Sequence, residues 1–298
     1  MIYRSTQDLD FTLSDVPTCP RPGRVLMTSP DHFDVTYVIN PHMAGHIGTI
    51  DHDLAMAQWK ALHDTFLNCG LEVHTIQGLE GLPDMVFCAN QTLPFIRSTN
   101  GNQKGVVLSK MFTKERMAEV NRYAEYFSDL GFETIPLHES AQTSFEGMGD
   151  GIWHPHRYLL WGGYGFRTDE SVYNQISSEL DVRILLIELT DPDFYHLDTC
   201  FSVLDEDSVL IYPGAFQPAG LDLVRSFFRN VIESPENEAR TLFSCNAHCP
   251  DGKYVVIQKG CTETVNALSS VGYTPVEVDT SEFLKAGGSV FCMKQMFW

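Results

Sequence analysis

Residues 51–75 read Asp51-His52-Asp53-Leu54-Ala55-Met56-Ala57-Gln58-Trp59-Lys60-Ala61-Leu62-His63-Asp64-Thr65-Phe66-Leu67-Asn68-Cys69-Gly70-Leu71-Glu72-Val73-His74-Thr75. Ala55, Trp59, Leu62 and Phe66 recur at the spacing of one helix face. Asp51 supplies an N-cap oxygen and Gly70 a stop, so a helix is expected over 51–69. A strand-like run over 71–75 follows at once. The same unit recurs along the chain. Met117, Val120, Ala124 and Phe127 mark a helix over 113–130 that ends at Gly131. Val172, Ile176 and Leu180 mark one over 168–180, and Leu221, Val224, Phe228 and Val231 one over 221–232. Val265 and Leu268 mark a fifth over 261–271, stopped by Gly272. Strand-like runs over 24–28, 85–89, 105–109, 158–161, 182–189, 208–212, 254–257 and 275–278 lie between them.

Five helices embedded among strands, starting about 40 to 60 residues apart, have the rhythm of an internally repeated α/β architecture. A doubly wound parallel sheet is the rival, but no Gly-x-Gly-x-x-Gly turn follows the first strand. No linker or low-complexity run divides residues 1–298, which read as a single domain.

Of the 298 residues, 43% are apolar and 20% charged, enough to bury a full core without staples. Twenty Lys and Arg against 39 Asp and Glu leave a net charge of −19. That balance argues against nucleic acid or an anionic membrane as partner and suits a cationic small molecule. No apolar run approaches the roughly 20 residues that span a bilayer. The first ten residues do not read as a signal peptide. Eight cysteines at 19, 69, 88, 200, 245, 249, 261 and 292 are scattered, as expected of reduced thiols in a cytoplasmic protein. Cys245-x-x-His248-Cys249 and the pair His154 and His156 are superficially zinc-like. Neither has a second pair at ligand spacing, so no metal is expected.

Four segments are more polar than their surroundings: Pro83-Asp84 through Asn90, Phe145-Glu146-Gly147-Met148-Gly149-Asp150-Gly151, Tyr195-His196-Leu197-Asp198, and Gly287-Gly288-Ser289-Val290-Phe291-Cys292. Singly, each has a plain structural reading as a cap, a loop, a satisfied polar residue or a buried thiol. Jointly they supply a sulfur nucleophile, an imidazole to manage protons, and Asp198 close enough in sequence to orient that imidazole. Carboxylates beside a sulfur raise the thiol pKa, which makes sense if the substrate is itself a cation. A planar guanidinium or amidinium matches carboxylates bidentately.

In this order the four segments resemble the guanidino-group-modifying superfamily of arginine deiminases, dimethylarginine hydrolases, arginine dihydrolases and amidinotransferases. The Glu-Gly-x-Gly-Asp, His-Leu-Asp and Gly-Gly-x-x-x-Cys-Met segments are the most specific parts. Val38-Ile39-Asn40-Pro41-His42-Met43 and Phe87-Cys88-Ala89-Asn90 look most like the arginine dihydrolase branch. The resemblance implies a pentein fold, a five-bladed α/β propeller with pseudo-fivefold symmetry. It implies a hydrolase of the guanidino C–N bond of arginine or a close derivative, needing no cofactor and no metal. Cys292 would be the nucleophile, His196 the general acid and then base, Glu146 a partner of the guanidinium, and Asp198 an orienting or assisting group. Asn40, Asp84, Asn90, Lys110, Asp150 and Arg167 would form the substrate site, with Arg167 holding the substrate carboxylate. Two positions depart from the family pattern: Phe291 stands where an Arg often precedes the cysteine, and Lys110 where dihydrolases carry a carboxylate-binding Arg. The alternatives are an amidinotransferase that passes the amidino group to an amine, and a non-catalytic binding protein of the same fold. A homo-oligomer is compatible with the sequence.

Overall fold

The computed structural model describes residues 1–97, 103–138 and 143–298. Its strands, in chain order, are β1 (Ile2–Tyr3), β2 (Arg24–Thr28), β3 (Glu72–Ile76), β4 (Thr92–Arg97), β5 (Gln103–Leu108), β6 (Glu133–Ile135), β7 (Gly151–Trp153), β8 (Leu159–Tyr164), β9 (Arg183–Glu188), β10 (Phe201–Val203), β11 (Ser208–Ile211), β12 (Asn230–Glu233), β13 (Tyr254–Gln258), β14 (Thr274–Val278) and β15 (Gln295–Phe297). They form five small sheets on one plan: a short strand antiparallel to a central one, a helix, and a parallel strand on the central strand's other edge. β4-β5-β6 and β10-β11-β12 show the plan directly, and β7-β8-β9 adds β1 at its far edge. In β13-β14 the antiparallel partner is reduced to one bridge between His248 and Val256. The remaining sheet is closed by the end of the chain, with β15 antiparallel to β2 and β2 parallel to β3. That closure carries Cys292, three residues before β15, into the middle of the molecule.

The helices between central and parallel strands are His52–Asn68, Glu119–Asp129, Val172–Leu180, Pro218–Phe227 and Thr262–Ser270. In the first, Asp51 accepts the Leu54 N–H, and Ala55, Trp59, Leu62 and Phe66 are all buried. Two expectations shift. The helix expected over 221–232 stops at Phe227, because the chain turns into β12 and Val231 pairs with Val209; apolar residues at helical spacing ran across the boundary. The strand expected over 85–89 is a 3-10 turn, Pro83–Val86, followed by irregular chain. Its residues are apolar because the segment is threaded through the interior, a case periodicity cannot separate from a buried strand.

The short antiparallel strands carry too little signal for a related reason. β7, β10 and β15 have three residues each, too few to display a period, and β4 contains Pro94. β4 is the edge of its sheet, where a missing N–H is tolerated. Among the described residues no helix is long and apolar enough to cross a membrane.

Candidate active site

The turn carrying Cys292 begins with two glycines for steric reasons. Gly287 has φ +85°, and a Cβ there would stand 2.8 Å from both Asn40 Oδ1 and the Tyr195 hydroxyl. A Cβ on Gly288 would fall 2.4 Å from the Phe87 ring. The turn is held by Asn246, whose Oδ1 accepts the backbone N–H groups of Ser289, Phe291 and Cys292 at 3.2, 3.0 and 3.2 Å. The Asn246 Nδ2 donates to the Asp198 carbonyl at 2.9 Å and to Cys292 Sγ at 3.2 Å. The thiol in turn donates to Asp198 Oδ2 at 3.2 Å. Burial, then the charge of Asp198, pushes the Cys292 thiol well above its ordinary pKa. Burial also raises Asp198 to about 7, against the pull of the thiol hydrogen bond.

Glu146 and His196 form the second half of the site. His196 Nε2 bonds Glu146 Oε2 at 2.7 Å. Arg167 Nη1 donates to the same oxygen at 3.1 Å, and the Phe112 N–H to Oε1 at 3.0 Å. Burial alone would raise Glu146; the Arg167 guanidinium and the His196 bond overcome it and hold the carboxyl at about 2. The glycines around Glu146 permit close packing: a Cβ on Gly149 would lie 2.4 Å from Asn90 Nδ2 and 3.3 Å from the His196 ring. Asp150 stands behind the imidazole, accepting the Leu197 N–H at 2.9 Å and the Thr168 hydroxyl at 2.6 Å, with burial raising it to about 6.

A cavity with about 10 Å³ of free space lies against Cys292 and His196, room for about one water. Asn40, Asp84, Asn90 and Arg167 also line it. Asn40 caps the turn Pro41–Met43 and donates to the Ala286 carbonyl, tying that turn to the nucleophile loop. Asp84 accepts from the Tyr37 hydroxyl through Oδ2, while its Oδ1 has no partner among the described residues; burial raises its pKa. Asn90 Nδ2 and Asp198 Oδ1 also lack partners among the described residues.

The structure thus brings Cys292, Asp198, His196, Glu146, Asn40, Asp84, Asn90 and Arg167 together. It places Asp150 one layer behind them and leaves Lys110 outside the cavity lining, its backbone paired with Phe145. It also exchanges two expected contacts. Glu146, not Asp198, holds the imidazole, and Asp198 instead touches the sulfur. Glu146 is already occupied by His196, the Arg167 guanidinium and the Phe112 N–H. Arg167 gives Nη1 to Glu146 and Nη2 to the Ile39 carbonyl, with its guanidinium over the Tyr195 ring.

Three residues of the site are not evident from sequence. Asn246 sits among the zinc-like cysteines, and a lone Asn carries no periodic signal. Tyr195 stands out only as a neighbour of His196. Arg116 is buried inside a segment that reads as an amphipathic helix; it pairs with Glu119 at 2.9 Å and donates to Asn90 Oδ1 at 2.8 Å. Among the described residues no group of three or more His, Cys, Asp or Glu side chains is arranged to hold a metal ion.

The family model of eukaryotic N,N-dimethylarginine dimethylhydrolases matches residues 40–297. The chain is 37% identical to an N(G),N(G)-dimethylarginine dimethylaminohydrolase of Mycobacterium tuberculosis, over 92% of this chain and 85% of that one. It is 35% identical to the bifunctional arginine dihydrolase/ornithine cyclodeaminase ArgZ of Synechocystis, over 91% of this chain and 37% of that protein. The substrate-bound N-terminal domain of ArgZ superposes with a TM-score of 0.85 at 34% identity, covering 92% of this chain and 97% of that domain. The chain belongs to the N,N-dimethylarginine dimethylhydrolase family of guanidino-modifying hydrolases and has the pentein α/β propeller fold.

Proposed function

We propose that this protein hydrolyses the guanidino C–N bond of arginine or a close N-substituted arginine through a covalent bond to Cys292, without a cofactor. The observation that carries the reading is a pair of buried carboxyl oxygens without partners among the described residues: Asp84 Oδ1, on a residue that lines the cavity with Cys292, and Asp198 Oδ1, on the carboxyl whose other oxygen accepts from the sulfur. Buried acceptors left without donors are costly, and a planar cation rich in N–H groups satisfies both. The remaining N–H groups of Arg167 hold the substrate carboxylate.

The arriving cation favours the thiolate, and the thiol proton passes to Asp198, whose pKa of about 7 suits the transfer. The sulfur lone pair forms the C–S bond, and the C=N π electrons move onto nitrogen. His196 protonates the departing nitrogen, the C–N bond breaks, and ammonia or an alkylamine leaves. Water gives a proton to His196 and adds to the S-bound amidinium carbon. The C–S bond then breaks and the sulfur recovers its proton. Glu146 keeps the imidazole in place for both transfers, a type of positioning worth about 10²- to 10⁴-fold. All eight cysteines are free thiols, which supports a cytoplasmic setting.

Incubation with arginine, its N-methylated forms and agmatine, followed by mass spectrometry of products and protein, tests the reading. Turnover of at least one arginine without an added amine, and none by Cys292→Ala, is the expected result. A strict requirement for an acceptor amine would make the protein a transferase. No turnover and no mass gain on Cys292 with any of them would overturn the proposal.

A further inference from the structure

A second cavity, with about 70 Å³ of free space, shares no lining residue with the substrate cavity yet touches the same nucleophile turn through Phe291 and Lys294. Lys294 is fully buried, and its Nζ has no hydrogen-bond partner among the described residues; the ammonium stands 3.3 Å from the centre of the Phe291 ring. His248 Nε2 and Arg21 Nε, from two other lining residues, are buried without partners among the described residues too. None of the residues lining this cavity is acidic, in a chain whose net charge is −19. Apart from His154 and His156 the other walls are apolar, among them the indoles of Trp153 and Trp298.

Two buried donors from cationic side chains, Lys294 Nζ and Arg21 Nε, with an imidazole that can donate in one tautomer, make a built anion site. Water in the free space would supply acceptors but no charge, and Asp198, the carboxylate whose charge acts on Lys294, does not line this cavity. An anion supplies both acceptors and charge. The aromatic walls suit a short hydrocarbon or aromatic body. We propose that this cavity binds a small organic monocarboxylate, its carboxylate on Lys294 with Arg21 and His248 and its apolar body against the edge-to-face pair Trp153 and Trp298. The binding is independent of the reaction proposed above.

The test titrates the full chain with acetate, isobutyrate and benzoate, and with benzamide as neutral control, reading tryptophan emission and melting temperature. A saturable change with at least one carboxylate is expected, about tenfold or more weaker with benzamide, as befits a charged hydrogen bond. Lys294→Met should weaken it to a similar degree and Lys294→Arg should restore it. Should Lys294→Met fail to fold, the half-buried Arg21→Ala carries the same expectation of weaker binding. Binding must persist in saturating arginine. No saturation by any carboxylate below about 10 mM, equal binding of benzamide and benzoate, unchanged affinity in the variants, or displacement by arginine would each overturn the site.

Discussion

A single side-chain oxygen of Asn246 accepts the N–H groups of Ser289, Phe291 and Cys292, while the nitrogen of the same amide donates to Cys292 Sγ at 3.2 Å. The clamp fixes the turn on which the sulfur rides and supplies a donor to the sulfur itself. Asn246→Ala would leave the buried amides of Ser289 and Cys292 without an acceptor, each costing about 1–3 kcal/mol, while Phe291 keeps the backbone carbonyl of residue 246. Partial relaxation brings the expected loss of unfolding free energy to about 2–4 kcal/mol, measured by urea titration. Turnover should fall by about 10²-fold or more, since the sulfur loses both its position and its donor.

The contact between Cys292 and Asp198 keeps the resting thiol neutral, because burial and the adjacent carboxylate both oppose its ionisation. A reagent that brings its own positive charge reverses this balance. An amidinium-bearing haloalkyl reagent should therefore alkylate Cys292 about tenfold or more faster than neutral iodoacetamide at neutral pH, a difference of about 1.4 kcal/mol. The preference should collapse in Asp84→Asn, which removes the charge that awaits the cation. Equal rates in the wild-type protein, followed by mass spectrometry of the modified peptide, would contradict the role given to Asp84.

The repeated unit was legible because each helix shows its buried face, and three of the five show a glycine stop, at Gly70, Gly131 and Gly272. The central strands were legible because they are buried on both sides and read as apolar runs. Sheet closure was not: β15 has three residues, and only its pairing with β2 reveals that the last residues complete the first sheet. The site residues stood out as polar positions in apolar surroundings, but their pairing did not. Sequence distance suggested that Asp198 would hold His196. A 3-10 turn, Leu197–Thr199, carries the two side chains to different partners, and the imidazole goes to Glu146, fifty positions away. Arg116 and Asn246 were hidden because a buried polar residue is recognised by its partners, and those lie on other elements.

Glu146 contacts His196, Arg167 and a backbone amide, with no lone pair directed at the cavity, so its removal should act on proton transfer rather than on substrate affinity. Glu146→Gln keeps the shape and can still accept one hydrogen bond. It is expected to lower kcat by about 10²-fold, within the range of positioned acid–base catalysis, with KM changed only a few fold. An equal effect on KM would show that Glu146 binds the guanidinium directly. With its carboxyl held at about 2, Glu146 stays ionised at neutral pH and should not itself appear in the pH profile of kcat.

Asp150 gives a stability signature separate from activity. Its carboxyl titrates at about 6 in the folded protein against a reference of 3.8, because burial outweighs the His196 charge and the Thr168 and Leu197 hydrogen bonds. The folded state thus holds this proton more tightly than the unfolded chain. The associated stability is fully present below the unfolded pKa and is lost as pH rises through about 6. The difference between the folded and unfolded titrations corresponds to at most about 3 kcal/mol. Asp198, raised to about 7, adds to the same downward slope. Glu146 acts in the opposite direction but only below its reference of 4.5, and Lys294, lowered to about 7, acts only above that pH. The informative window therefore runs from about pH 4.5 to 6.5. His154, lowered to about 4 by burial, and His248, also lowered by burial, act in the opposite direction inside this window. The signature is thus the difference between proteins: relative to wild type, Asp150→Asn, which has no proton to lose, should gain stability progressively as pH rises through it. Parallel curves for the two proteins, measured by chemical denaturation at each pH, would show that Asp150 is ionised throughout and that the hydroxyl and amide holding it outweigh its burial.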